Sequence, residues 1–231
     1  MDQLTLLSTG EVGLVAQVMD SSNATFVADV TAGDAYSWAI YKPQAGERPL
    51  WDFEPGLHAR ERAAHVLSEW LGWGLVPTTV VREDAPMGVG SLQWFVDGDQ
   101  RQHYFTIARD RPDLHDQLRR LAVFDVVTNN TDRKSGHVLL DAAGRVWGID
   151  HGLCFAAEPK LRTVIWDFAG EPLPGDTLEG LDRLTRDAPD ELAELLSASE
   201  LVALRGRARR LVAHGVLPFD QTGHGYPWPL V

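Results

Sequence analysis

Cysteine is almost absent. One thiol, Cys154, stands in 231 residues, so no disulfide can close within the chain, and a reducing, cytoplasmic compartment is expected. Long apolar runs are missing as well. None approaches the ~20 residues that cross a bilayer. The opening "MDQLTLLSTGEVG" has no basic stretch followed by an apolar one, so no secretory leader is expected. Positive charge is scarce: 21 Lys and Arg face 33 Asp and Glu, a net charge of −12. Such a chain is repelled by nucleic acid and anionic lipid wherever no basic patch intervenes. The candidate patch, "LRGRARRLVAHG" at 204–215, carries Arg205, Arg207, Arg209 and Arg210 and reads as a helix with a solvated basic face. No nucleic-acid partner and no transmembrane segment are therefore expected. The histidines show neither H-E-x-x-H nor Cys/His spacing, which argues against a structural zinc site.

What is present is a strand-rich first part and a helix-rich remainder. "EVGLVAQVM", "ATFVADV" and "YSWAIYKP" read as strands, separated by the turn segments "DSSNA" and "TAGDA". Residues 43–56, with three prolines and two glycines, read as a loop. "LHARERAAHVLSEWLGWG" predicts a helix whose apolar stripe is Leu57, Ala64, Leu67 and Leu71. Glu61 falls on that stripe. It either reaches solvent from the edge or faces the core, where it needs a cation. "VPTTVVRE" and "GSLQWFVDG" read as two more strands. A helix is expected at about 113–128, with Leu114, Leu118, Leu121 and Phe124 on one face, and a hairpin from "HVLL" and "RVWGID" around "DAAG". Residues 153–188 read as irregular. Two helices follow near 190–197 and 199–214, with a capping box from Ser197 to Glu200 and Gly215 just past the end. The segregation predicts an α+β fold with two lobes, 1–96 and 97–231, forming one domain.

Four features in this order suggest phosphoryl transfer. That reaction needs a cation on the phosphates, a metal-holding carboxylate and a carboxylate at the attacking hydroxyl. Lys42 ends a strand in "AIYK", and Glu61 lies on the next helix. Asp132 to His137 keeps a D-x-x-x-x-N spacing with histidine in the last place. Asp150-His151-Gly152 follows a hairpin, as D-F-G does in protein kinases. Each piece alone is weak; the order and element types together carry the reading.

Over residues 20–170 the chain resembles the phosphatidylinositol 3-/4-kinase-like superfamily, and most closely type II phosphatidylinositol 4-kinases and their small bacterial relatives. The resemblance rests on "SSNATFV" (21–27), "YKPQ" (41–44), "GSLQWFVDG" (90–98), "NNTDRKSGH" (129–137) and "IDHGLCF" (149–155). The family has phosphate-loop, lysine, hinge, catalytic-loop and metal motifs at those places. The resemblance implies a two-lobed, protein-kinase-like fold that uses ATP with Mg²⁺ or Mn²⁺. Ser21, Ser22 and Asn23 would contact phosphates. Lys42 would hold them, oriented by Glu61. Gln93, Trp94, Phe95 and Val96 would line the adenine pocket. Asp132 would position the acceptor hydroxyl, Arg133 would neutralise charge beside it, and Asp150 would hold the metal.

His137 departs from the family's amide. It is either a ligand for metal or phosphate, with loss of activity as it protonates near pH 6, or a packing residue. His151 and Cys154 read as packing residues, and Trp166 and Asp167 as substrate-side or packing groups. The implied activity is transfer of the γ-phosphate to a hydroxyl of a protein or small molecule. A phosphatidylinositol kinase, a nucleotide-binding pseudokinase and a nucleotidyl transferase are the alternatives. The acidic charge weighs against a lipid acceptor.

Overall fold

The computed structural model describes residues 1–231 except Asp20, Ser22 and Gln100. Helix α1 (Gln3–Thr9) leads into strands β1 (Glu11–Gln17), β2 (Phe26–Ala32) and β3 (Ala35–Pro43). Helix α2 (Leu57–Trp70), β4 (Thr79–Arg82) and β5 (Gly90–Trp94) follow. The strands form one antiparallel sheet in the order β1-β2-β3-β5-β4. Side chains alternate across it, so Ala39, Tyr41 and Pro43 of β3 are buried while Lys42 stays half-buried between them. A small core joins Ala28, Val30, Ala39, Tyr41 and Leu92 to Leu6 and Leu7 of α1. Helix α1 was not expected. Its seven residues are too few for periodicity to show; the Asp2 cap on Thr5 N–H and the burial of Leu6 and Leu7 define it.

The rest is mainly helical: α3 (Tyr104–Asp110), α4 (His115–Thr128), the hairpin β6 (Val138–Leu140) and β7 (Val146–Gly148), then α5 (Gly175–Arg186), α6 (Glu191–Leu195) and α7 (Ala198–His214). The α+β expectation holds, as do the hairpin, the four buried residues named at 114–124 and the Ser197–Glu200 capping box. The larger core gathers α4, α5, α7 and the hairpin, together with Ala63, Ala64, Val66, Leu67 and Leu71 of α2. Helix α2 therefore packs on the helical core while lying beside β4 and β5.

Two expectations are corrected. Residues 153–188 are not irregular throughout, because α5 buries Thr177, Gly180, Leu181 and Leu184 at helical spacing. The prolines before it and Gly180 within it hid the pattern. That glycine is there for packing: a Cβ would come within 3.1 Å of Leu71 Cδ2. The basic face of α7 is not wholly solvated either. Arg207 is 7% exposed and donates to the Val127 carbonyl at 2.7 Å and the Ala156 carbonyl at 3.1 Å. Through Val127 it satisfies one of the last carbonyls of α4, which helix geometry leaves without partners. Burial lowers its pKa to about 10.

Candidate active site

Lys42 Nζ lies 2.5 Å from Glu61 Oε1 and 2.8 Å from Asp150 Oδ1. Strand β3, helix α2 and the loop after β7 therefore meet at one ammonium group. Burial alone would lower the Lys42 pKa; Asp150 and Glu61 outweigh it and raise the pKa. Glu61 is 2% exposed, so its place on the apolar stripe of α2 is explained by its cationic partner, Lys42. Its second oxygen accepts the His151 N–H at 2.9 Å. One carboxylate thus ties the lysine strand to the loop that carries Asp150.

Asp150 has a left-handed backbone, φ 60, which costs a non-glycine residue on the order of 1 kcal/mol or more. Its neighbours are pinned on both sides. Ile149 N–H donates to the His137 carbonyl at 3.0 Å, and the Ile149 carbonyl accepts from Arg133 at 2.6 Å. The His151 N–H is held by Glu61, as above. Burial pushes the Asp150 carboxyl up, but the charge on Lys42 and its hydrogen bond hold it below the usual carboxylate range.

His137 belongs to the same cluster. Its Nε2 is 3.3 Å from Asp150 Oδ2, while Nδ1 is 3.1 Å from the Asp132 carbonyl. With its proton on Nδ1 the ring donates to that carbonyl and turns an Nε2 lone pair toward the carboxylate; with its proton on Nε2 it donates to Asp150 and Nδ1 accepts the Lys134 N–H at 3.4 Å. Burial, reinforced by Arg133, Lys42 and Lys134 and opposed by Asp150, pushes its pKa down to about 4. The expected protonation near pH 6 is therefore corrected: the ring is neutral across the physiological range. In the first tautomer two acceptors face each other and the other ring nitrogen is tied to a carbonyl, a donor set that suits a divalent cation. Among the described residues no group of three or more His, Cys, Asp and Glu side chains converges as a metal cluster. A phosphate-bound Mg²⁺ or Mn²⁺ needs only one or two protein ligands, so His137 and Asp150 fit that kind of ion.

Asp132 projects from the loop after α4 with its side chain 29% exposed and 3.1 Å from Lys134 Nζ. Burial raises its pKa, against the pull of Lys134. Asp132 N–H donates to Asn130 Oδ1 at 3.0 Å, and Asn130 in turn donates to Asp125 Oδ1 at 3.1 Å. Asp125 and Lys134 were missed in the sequence. The signal for Asp125 was an acid inside the apolar run "LAVFDVV"; for Lys134 it was a cation two residues past Asp132.

The expectation for Arg133 is corrected. Its side chain is 0% exposed and faces inward. Nε reaches both Asp125 oxygens at 3.0 and 3.1 Å, Nη1 reaches the carbonyls of His137 and Ile149, and Nη2 donates to His151 Nε2 at 2.7 Å. A guanidinium with its donors committed in the core cannot neutralise charge on an acceptor. It fastens the two loops to α4 instead. His151, fully buried, accepts from it, and burial with the Arg133 charge holds its pKa well below 6.5. Cys154 is fully buried and burial raises its thiol pKa, as a packing residue requires. Asp167 accepts from the Tyr104 hydroxyl at 2.5 Å and Trp166 donates to the Gly225 carbonyl at 2.9 Å, which are packing roles.

The remaining expected residues are spread along the sheet. Ser21 Oγ is 2.8 Å from Thr25 Oγ1, and Asn23 Oδ1 accepts the Arg48 N–H at 2.9 Å. Ser22 lies outside the described residues. The Gln93 side chain does not line an open pocket; it is buried and donates to Thr79 Oγ1 at 2.8 Å. Trp94 N–H donates to the Thr78 carbonyl and Phe95 N–H to the Trp38 carbonyl. Trp94 and Val96 are half-buried and Phe95 is 36% exposed. Cavities of about 220 and 590 Å³ adjoin the 44–57 loop rather than this cluster. The cluster itself is drawn together by the Lys42–Asp150 bond.

Comparison with known proteins bears on the family and the fold. Protein Rv2133c of Mycobacterium tuberculosis is 38% identical over 99% of this chain and 95% of its own length. Phosphatidylinositol 4-kinase gamma 3 of Arabidopsis thaliana is 29% identical over 45% of this chain, which corresponds to 19% of that larger protein. Among solved structures, hydra Fam20 with sugar superimposes with a TM-score of 0.60 at 14% identity, over 94% of this chain and 91% of that one. The Helicobacter pylori proinflammatory kinase CtkA gives a TM-score of 0.52 at 13% identity, over 91% and 94%. At such identities the likeness concerns the fold, which is kinase-like. Residues 57–203, spanning Glu61, both loops and most of the helical part, match the family Phosphatidylinositol 3- and 4-kinase, and the chain belongs to that family.

Proposed function

We propose that this chain is an ATP- and divalent-metal-dependent kinase that transfers a γ-phosphate to a hydroxyl group. The observation that carries this reading is Lys42 held between Glu61 and Asp150. An ammonium in that position can leave Asp150 for the phosphates while Glu61 keeps it oriented. The segments 1–96 and 97–231 supply the nucleotide side and the acceptor side. Ser21, Asn23 and the 94–96 stretch border the nucleotide. Asp132, with its raised pKa and partly open carboxylate, orients the acceptor hydroxyl and takes its proton. His137 and Asp150 would hold the metal, which would neutralise charge on the phosphate oxygens. Arg133 and Asp125 keep the two loops in register.

A protein or small soluble molecule is the favoured acceptor, because a net charge of −12 opposes an anionic lipid surface. Among the described residues no helix is long and apolar enough to cross a membrane. A cytoplasmic location fits the lone, buried Cys154. The alternative of a nucleotide-binding pseudokinase draws on His137 alone; the neutral ring facing Asp150 supports a working metal site instead.

The test is ATP consumption with Mg²⁺ and with Mn²⁺, beside calorimetric ATP binding. Asp132→Asn is expected to lower kcat by about 10²-fold or more with little change in ATP affinity. ATP binding without turnover under both metals would favour the pseudokinase. Strong co-sedimentation with anionic vesicles at low salt would revive a lipid acceptor.

A further inference from the structure

The main chains of residues 130–133 and 162–164 run side by side. Arg162 N–H donates to the Asn130 carbonyl at 2.9 Å, Arg133 N–H to the Arg162 carbonyl at 3.1 Å, and Val164 N–H to the Arg133 carbonyl at 3.1 Å. Asp132 sits within this pairing, so both segments bound the place where an acceptor would approach it.

A third segment ties the two together. The Gly225 carbonyl accepts from Thr163 N–H and from Trp166 Nε1, each at 2.9 Å. The Leu230 carbonyl accepts from Ser135 N–H at 2.8 Å. Ser135 opens the 3₁₀ turn Ser135–His137, whose last residue points its ring at Asp150. The first N–H groups of such a turn have no partner within it; Leu230 supplies one. The segment is seated by burial. Gly225 and Pro227 are buried and Leu230 packs on the larger core, while Tyr226 and Trp228 stay exposed. Gly225 N–H donates to Asp220 Oδ2 at 3.0 Å, and a Cβ there would come within 2.6 Å of Asp220 Cγ. The close turn needs glycine.

We propose that residues 225–230 are a positioning strap for the catalytic loop, with Leu230 holding the turn that carries His137 and Gly225 holding the segment opposite Asp132. The role rests on the phosphotransfer reading. It places the strap on the acceptor and metal side of the site, away from the hinge, so it governs turnover rather than nucleotide affinity.

Leu230→Asp in the full chain removes the apolar seat, and Leu230→Met keeps it. The probe is ATP with Mn²⁺ and water as acceptor, read beside amide hydrogen exchange. In Leu230→Asp, exchange at 135–137 is expected to rise about tenfold or more while the amides of α4 hold. The kcat for ATP falls by about tenfold and the KM for ATP stays within about twofold. Leu230→Met restores both. Faster exchange with unchanged kcat, lower kcat with unchanged exchange, or a KM that rises in step with the loss overturns the strap. A wild-type chain that hydrolyses no ATP instead sinks the phosphotransfer reading, and the positioning role falls with it.

Discussion

His137 Nε2 lies 3.3 Å from Asp150 Oδ2, across two loops held together by the Ile149 N–H bond to the His137 carbonyl at 3.0 Å. A neutral imidazole and a carboxylate share the position where the related motifs place an amide and an aspartate. On the proposed metal role, the ring would offer a nitrogen in place of a hard oxygen, which would move the preference from Mg²⁺ toward Mn²⁺. His137→Asn is therefore expected to lower the ratio of Mn²⁺- to Mg²⁺-supported ATP hydrolysis by about tenfold. Titration of each metal at fixed ATP measures it. An unchanged ratio would show that the ring is a packing residue.

Lys42 and Glu61 form a largely buried ion pair, with side chains 24% and 3% exposed. Removing the cation leaves Glu61 enclosed with only the His151 N–H. Lys42→Met is expected to abolish transfer and to destabilise the fold by about 3 kcal/mol. The double variant Lys42→Met, Glu61→Gln should recover most of that stability and none of the activity. Urea denaturation of the three proteins decides it; a single variant as stable as wild type would contradict the pairing.

Arg133 is predicted to matter for folding. Its five contacts with Asp125, His137, Ile149 and His151 demand a planar fork that lysine cannot supply. Arg133→Lys should cost about 3 kcal/mol or more, because the Asp125 carboxylate is left buried with too few donors. Thermal unfolding checks it. A variant that melts with wild type but turns over slowly would restore the chemical role expected from the motif.

His65 gives stability a pH dependence. It is 8% exposed, and burial lowers its pKa below 6.5. The unfolded chain then takes up the proton first, so this contribution is complete above about pH 6.5 and shrinks as pH falls toward the folded pKa. His65→Gln, which can still donate toward the Val76 carbonyl, is expected to lose less stability between about pH 7 and pH 5 than wild type. Parallel melting curves for the two proteins that shift equally with pH would refute this.

The strand segments, the helix carrying Glu61 and both aspartate loops could be read from residues because each rests on local pattern: alternation in β3, the stripe on α2, turn chemistry at the hairpin. Helix α5 could not, since its start is masked by prolines and its packing needs a glycine against Leu71, a contact across more than a hundred residues of chain. Helix α1 could not either, because burial of Leu6 and Leu7 against a sheet formed later in the chain defines it.

At the site, residue types and spacing determined which polar groups are present: the charged Lys42, Glu61, Asp132 and Asp150 and the unusual His137. Their partners were decided by folding. Asp132 and Arg133 are adjacent in sequence, yet one side chain is partly open and the other fully enclosed. Only the packing of α4 against the two loops, with Asp125 buried beneath them, distinguishes the side chain available to chemistry from the one that holds the loops together. A buried carboxylate must find its donors wherever the chain brings them, and that depends on long-range contacts rather than on neighbours along the chain.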